Sequence, residues 1–224
     1  MLEKPFTIKG FLSPDEIDEL IDVYDKAEKI YKSNISSTGI TTDVTEYCKK
    51  SPIMNRLKEH IGDFKIEFAN HFNATLPHVI HTDGKQGIEM YKGITLPLKV
   101  ERFNEDKKEY PYLCFFDQYY LQGPAKFFNG SNGIPSYYNM QVYEYHNVKN
   151  LGQNDANSAY TKNMHTKYFS HMPKNWLAGL TLCSIHDWIP GDAIIFDCIR
   201  LHAASNFKMN GIRSKLGLSI FTTL

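Results

Sequence analysis

The chain has 224 residues, a length that suits one domain with a full hydrophobic core. Its 25 Lys and Arg cancel its 25 Asp and Glu, so no overall positive field exists to hold a phosphate backbone, and nucleic acid is not an expected partner. Cys48, Cys114, Cys183 and Cys198 form no CxxC pair, the start Met1 to Phe6 lacks the apolar stretch of a signal peptide, and no apolar run approaches the ~20 residues that cross a bilayer. The expectation is a cytoplasmic protein with reduced thiols and no membrane partner.

In chain order, Ser13, Pro14 and Glu16 predict a helix start, with Ser13 as N-cap, Pro14 in the first turn and Glu16 completing a capping box. Ile17, Leu20, Ile21, Tyr24 and Ala27 form its buried stripe. Ser51 and Pro52 repeat the start signal, Leu57 and Ile61 anchor the second helix, and Gly62 stops it; together these make a helical layer over about 13–62. From Phe64 the pattern turns to strands, over about 64–72, 76–82, 92–100, 111–120, 125–128, 139–145, 178–188, 193–201 and 214–223. Helices first, then many short strands separated by Pro and Gly turns, predict a mainly β domain with N-terminal helices, a double-stranded β-helix of the jelly-roll, cupin-like kind. One domain over 1–224 is expected, with an insertion over about 129–176 whose polar part, 149–175, reads as a loop and is expected to form a lid over the barrel mouth.

Chemistry concentrates on a few residues. His81 and Asp83 form an HxD pair at the end of an apolar stretch, and period-2 geometry points both to one face, where one metal can reach them. HxD alone is a weak signal; its context strengthens it. The turn Ile189-Pro-Gly-Asp192 leads into the strand Ala193 to Asp197, with His202 just beyond, and a Met209-Asn-Gly211 turn is followed by Arg213. Two imidazoles and a carboxylate on one face suit Fe(II) with open positions opposite, and Zn(II) fits the same groups. Arg213 offers a guanidinium fork that matches a carboxylate. Strand parity places Arg213, Lys215, Gly217 and Ser219 on one face, so Ser219 could reach the same pocket, and Thr95, with Lys99, faces away from the aliphatic side of its own strand. His60, His71, His78, His146, His165 and His171 could compete as ligands, and His186, beside Asp187, is the most credible rival. The aromatic run Tyr110 to Tyr120 and Phe127–Phe128 is expected to be mostly core, with Tyr119, Tyr120, Tyr137 and Tyr138 as candidates for a pocket wall.

Three segments together, Gly10 to Ile21 (GFLSPDEIDELI), His81-Thr-Asp83, and Pro190 to Phe196 continuing through His202 to Arg213, resemble the Fe(II)/2-oxoglutarate-dependent dioxygenases. The likeness extends more loosely to their prolyl-hydroxylase-like and phytanoyl-CoA-hydroxylase-like members. The stretch from about Asn129 to Trp176 matches no pattern of that family. The resemblance implies iron on His81, Asp83 and His202, 2-oxoglutarate as co-substrate with its far carboxylate on Arg213, and O2 as oxidant. It implies hydroxylation of an aliphatic carbon of a small molecule or of a free or peptidyl amino-acid side chain. The family often pairs its basic residue with a hydroxyl, but Lys215 stands at the second position after Arg213, so the hydroxyl partner stays open between Ser219 and Thr95. Retention of Asp83 disfavours halogenation. A non-catalytic metal-binding jelly-roll module and a zinc-dependent hydrolase using the same ligands remain as alternatives.

Overall fold

The alternation of apolar and polar residues resolves into two seven-stranded sheets that face each other, with a layer of helices on the outside of the first. The computed structural model describes residues 2–33, 38–85, 87–106, 108–120, 125–129, 135–138, 145–146, 162–177 and 180–224. The first sheet has the order β1 (Phe6–Ile8), β12 (Ala193–Asp197), β6 (Lys92–Arg102), β14 (Ile212–Thr223), β4 (Lys65–Ala74), β3 (Thr38–Asp43) and β2 (Ile30–Ser33). The second runs β10 (Tyr145–His146), β7 (Tyr112–Tyr120), β13 (Arg200–Ala204), β5 (His81–Thr82), β8 (Ala125–Asn129) and β9 (Pro135–Tyr138), with β11 (Leu182–Asp187) also pairing with β7. Every recorded pairing is antiparallel, so each strand offers alternate residues to the two faces of its sheet. The expected jelly roll with N-terminal helices is the fold observed.

The main core lies between the first sheet and the helices. Ile94, Leu96 and Leu98 of β6 and Leu216, Leu218 and Ile220 of β14 present one aliphatic face to Leu20 and Tyr24 of α1 (Pro14–Lys26), Cys48 of α2 (Thr45–Lys50) and Leu57 and Ile61 of α3 (Ile53–Ile61). The opposite parity of the same strands faces inward. There Leu113 and Phe115 of β7 meet Ile194 and Phe196 of β12 and Trp188, which closes the gap between the sheets.

Helix α1 starts as the sequence predicts: Ser13 Oγ accepts from Glu16 N, and Glu16 Oε2 accepts from Ser13 N at 2.9 Å. Glu16 also pairs with Arg56 of α3 at 2.9 Å, tying the two helices together. Gly62 ends α3 with φ at 79°, a conformation glycine adopts without a Cβ penalty.

Several expected strands differ. The stretch 76–82 is strand only at His81–Thr82, in keeping with Pro77, which has no N–H to give a ladder. Segments β1, β2, β3 and α2 were not anticipated. The described part of the expected lid forms short helical turns at Lys162–Met164, His165–Phe169 and Lys174–Leu177. Phe169, Met172, Trp176 and Leu177 pack on Val79, Phe116, Leu201 and Ala203, the outward face of the second sheet. Residues 130–134, 139–144 and 147–161 of that insertion, and the side chains of Tyr120, Tyr137 and Tyr138, lie outside the described residues. Among the described residues no helix is long and apolar enough to cross a membrane.

Removing the capping box tests how much the helical layer depends on it. Ser13→Ala is expected to cost about 1 kcal/mol of folding free energy, read as a lower urea midpoint with an unchanged slope.

Candidate metal centre

His81 and His202 are direct cross-strand partners on β5 and β13. Directly opposed residues point to the same face with Cβ atoms about 5 Å apart, and Asp83, two positions after His81, follows on that face. The backbone N–H of Asp83 donates to the carbonyl of Cys198 at 3.0 Å, which fixes the chain beyond β5 against the turn preceding β13. One ligand atom from each of His81, Asp83 and His202 lies within 4.8 Å of the others. His81 and His202 are buried and Asp83 is partly so.

Proton placement makes this cluster suited to a cation. Nδ1 of His81 lies 2.7 Å from the carbonyl oxygen of Val79, and Nδ1 of His202 lies 3.0 Å from that of Arg200. A carbonyl only accepts, so each ring carries its proton on Nδ1 and turns the lone pair of Nε2 inward. Those lone pairs face carboxylate oxygens: His202 Nε2 is 3.1 Å from Asp83 Oδ2, and His81 Nε2 is 3.7 Å from Asp83 Oδ1. Lone pairs and carboxylate oxygens converging in this way form a set of donors suited to surround a cation. Two neutral imidazoles oriented by backbone carbonyls, plus one carboxylate, are the donor set for Fe(II) or Zn(II). Phe115 and Phe196, with ring centroids 5.6 and 4.7 Å from that of His202, hold this imidazole in place.

The centre opens on a cavity of about 460 Å³ between the sheets. Across the inward face of β4, β14 and β6, the register aligns Asn70, Ser219 and Thr95 in one row, and all three line the cavity. Lys215, two residue pairs along β14, also lines it and is 5% exposed. Its ammonium lies over Trp188, 4.9 Å from the ring centroid, and forms no hydrogen bond or ion pair with any described residue. Burial alone pushes the Lys215 pKa down to about 8. A buried ammonium without an internal counter-ion among the described residues, facing a cavity, is able to accept an anion.

No protein-family model matches the chain, and no curated protein matches it. Solved structures do match. The epimerase SnoN from nogalamycin biosynthesis, solved in complex with Fe3+, alpha ketoglutarate and nogalamycin RO, superposes with a TM-score of 0.53 at 12% identity, over 99% of this chain and 79% of that one. An oxidoreductase of the 2OG-Fe(II) oxygenase family from Burkholderia pseudomallei gives a TM-score of 0.54 at 6% identity, over 98% of this chain and 85% of that one. The chain has the fold of the Fe(II)/2-oxoglutarate oxygenases.

Within this oxygenase fold the structure brings together His81, Asp83, His202, Ser219 and Thr95, and leaves Arg213 outside. Arg213 is exposed, with its guanidinium 5.3 Å from the ring of Phe103 on the surface. The reason is a β-bulge: β14 pairs Ile212 with Arg102 and Ser214 with Glu101, so Arg213 is the extra residue. An extra residue breaks the period-2 parity that would have put Arg213 on the face of Lys215. A second irregularity, with Leu98 as the extra residue on β6, similarly turns Lys99 out to Glu101. Sequence reasoning therefore missed Lys215 as the cationic wall, together with Asn70 and Trp188; the parity that grouped Lys215 with Ser219 was the available signal. Of the rival histidines, His186 is satisfied by Thr7 and Ser184, and His71 packs against Tyr24 of the helical layer. His60 packs against Phe11, and His165 bonds to the Met172 carbonyl. His78 alone of these rivals lines the cavity among the described residues.

Holding an unpaired ammonium inside the protein destabilises it. Lys215→Met is expected to raise folding stability at pH 7 by about 1–4 kcal/mol. The folded-state pKa lies below the ordinary value for lysine, so the unfolded chain binds more protons from about pH 8 upward, and wild-type stability rises with pH there. The advantage of Lys215→Met should then shrink above pH 8 in denaturant titrations; an advantage constant to pH 10 would contradict a buried, titrating Lys215.

Proposed function

We propose that the chain is an Fe(II)- and 2-oxoglutarate-dependent oxygenase that hydroxylates an aliphatic carbon of a small molecule or an amino-acid side chain. The observation that carries this reading is the juxtaposition, in one cavity, of the convergent His81, Asp83 and His202 donors and the unpaired ammonium of Lys215. The fold shared with SnoN and with the Burkholderia pseudomallei oxidoreductase supports it.

Each residue has a physical role in the proposal. His81, Asp83 and His202 would hold iron through two Nε2 atoms and one carboxylate, which sets aside the remaining positions for exogenous ligands. Lys215 takes the far carboxylate of 2-oxoglutarate in place of Arg213, as a compact charge with three donors. Ser219 and Thr95, paired across β14 and β6, offer hydroxyls on the same wall. Trp188 and Phe72 exclude water beside the ammonium, which strengthens its attraction for an anion. When bound, iron and 2-oxoglutarate supply O2 activation coupled to oxidative decarboxylation, chemistry that no side chain of the protein provides.

Anaerobic titration with Fe(II) and then 2-oxoglutarate tests this. A visible metal-to-ligand charge-transfer band is expected in the wild type, absent in His202→Ala, weakened at least tenfold in apparent affinity in Lys215→Met, and unchanged in Arg213→Ala. Absence of the band in iron-loaded wild type would sink the oxygenase reading, and loss in Arg213→Ala with retention in Lys215→Met would return the anchor to Arg213.

The anchor also makes a pH dependence. A lysine binds an anion only while protonated, so 2-oxoglutarate affinity should fall as pH rises through about 8, by up to tenfold per pH unit. Lys215→Arg keeps its charge through this range and should flatten the profile of the dissociation constant against pH.

A further inference from the structure

The chain leaves the first sheet at Asp197, the last residue of β12, and enters the second at Arg200, the first of β13, with Cys198 and Ile199 between them. This short crossover carries two backbone carbonyls that bear on the metal centre. That of Cys198 accepts from the Asp83 N–H at 3.0 Å, and that of Arg200 lies 3.0 Å from Nδ1 of His202. Where the crossover stands therefore decides where the Asp83 carboxylate and the His202 imidazole point.

Both ends of the crossover are held by buried charges that the proposed reaction does not use. Asp197 is the direct cross-strand partner of Lys92 on β6, and Lys92 Nζ donates to Asp197 Oδ1 at 2.6 Å. The Lys92 main chain is itself fixed to β14: its N–H donates to Thr222 Oγ1 at 3.0 Å, and its carbonyl accepts from that hydroxyl at 2.9 Å. Arg200 sends one guanidinium N–H to the Phe116 carbonyl of β7 at 2.8 Å and another to the Glu3 carbonyl at 2.9 Å. Glu3 links the two anchors, because its carboxylate also accepts from Lys92 Nζ, at 2.7 Å. Lys92, Asp197 and Arg200 are all buried. A buried ion pair is a weak source of stability, since apolar residues of similar volume often do as well or better, but it holds its partners in a narrow geometry. What this pair contributes is placement.

We propose that Lys92, Asp197 and Arg200 are positioning residues of the metal centre, which clamp the crossover and through its two carbonyls aim Asp83 and His202. Lys92 holds the Asp197 end to the first sheet, and Arg200 holds its own end to the second. Each acts at one remove: a charge fixes the backbone, and the backbone fixes a ligand. The Lys92 end bears on Asp83 through Cys198, and the Arg200 end bears on His202. The proposal rests on reading His81, Asp83 and His202 as a metal centre and is independent of the co-substrate.

Titration of the metal-stripped full chain with Cu(II), followed by electron paramagnetic resonance on the signal that His202→Ala removes, tests it. Replacing both partners, Lys92→Met with Asp197→Leu, removes the pair without leaving a lone buried charge. This double variant is expected to keep a urea midpoint near that of wild type and to bind Cu(II) about tenfold more weakly, with a shifted hyperfine splitting. Unchanged affinity overturns the proposal. The same double change made in Asp83→Ala, whose two imidazoles still bind Cu(II), should cost less than about twofold, because the ligand it acts on is gone. A further loss of about tenfold there would assign the effect to general loosening of the fold and would also overturn the proposal. Should the apolar pair fail to fold, Asp197→Asn keeps the shape and removes the charge. It should weaken Cu(II) binding about threefold, and binding equal to wild type overturns the clamp. If wild type itself shows no signal that depends on His202, the metal reading falls and the clamp with it, an outcome distinct from normal binding that ignores Lys92 and Asp197.

Discussion

The opposition of His81 and His202 across one antiparallel ladder is the constraint on which the rest of the site depends. Strand β5 has only two residues, yet it is held on both sides, by β13 through His202 and by β8 through Lys126. A slip of one residue would send His81 to the outward face, where Val79 and Ile80 pack under Phe169 and Trp176, and would take the partner relation with it. The apolar cover on that outward face is therefore part of what aims the ligands inward. Burial of Leu201 and Ala203 on one face of β13 fixes His202 and Ala204 on the other. Hydrophobic packing on the outward face of the second sheet thus helps to aim the ligands of the centre.

The cationic end of the cavity has a different basis. Lys215 is surrounded by Trp188, Phe72 and Phe207 in place of carboxylates. Aromatic faces compensate part of the desolvation of an ammonium through their quadrupoles, without occupying its N–H donors. An internal carboxylate would have stabilised the fold more and left nothing for a ligand. Gly217 makes this packing possible, since a Cβ there would stand 2.7 Å from Cζ2 of Trp188 and 2.9 Å from Cζ of Phe72. The indole can lie across β14 beside Lys215 only because position 217 has no side chain.

Much of this was legible in the sequence, and the failures have identifiable causes. The HxD pair, the downstream histidine after a Pro-Gly turn, and the period-2 grouping of Lys215, Gly217 and Ser219 all follow from side-chain type and strand parity. Arg213 was assigned to the same face because parity is counted residue by residue, and a bulge inserts one residue without leaving a composition signal in Gly211-Ile-Arg-Ser214. Chemical preference reinforced the error, because an arginine fork is the better match to a carboxylate when both candidates are considered alone. Strands β2 and β3 are hidden for a related reason: Ile30 to Asp43 is rich in Ser and Thr, and the strand character of β3 comes from pairing with β4 and that of β2 from pairing with β3.

The placement of charge along the cavity bears on what the site can select. Among the described residues that line it, only Asp83 and Lys215 carry full charges, of opposite sign. On the proposed function Asp83 is neutralised by the metal, and Lys215 is left as the one fixed charge on an otherwise neutral wall of Asn70, Ser219, Thr95 and aromatic rings. A ligand with a carboxylate at one end and chelating oxygens at the other then satisfies both poles. A keto acid lacking the far carboxylate leaves the ammonium desolvated and unpaired, and a site whose buried polar group goes unmet discriminates strongly against such a ligand. On the proposed function the energetic cost of burying Lys215 would be the source of selectivity: the poorer its partners within the protein, the more a dicarboxylate would be favoured over its shorter relatives.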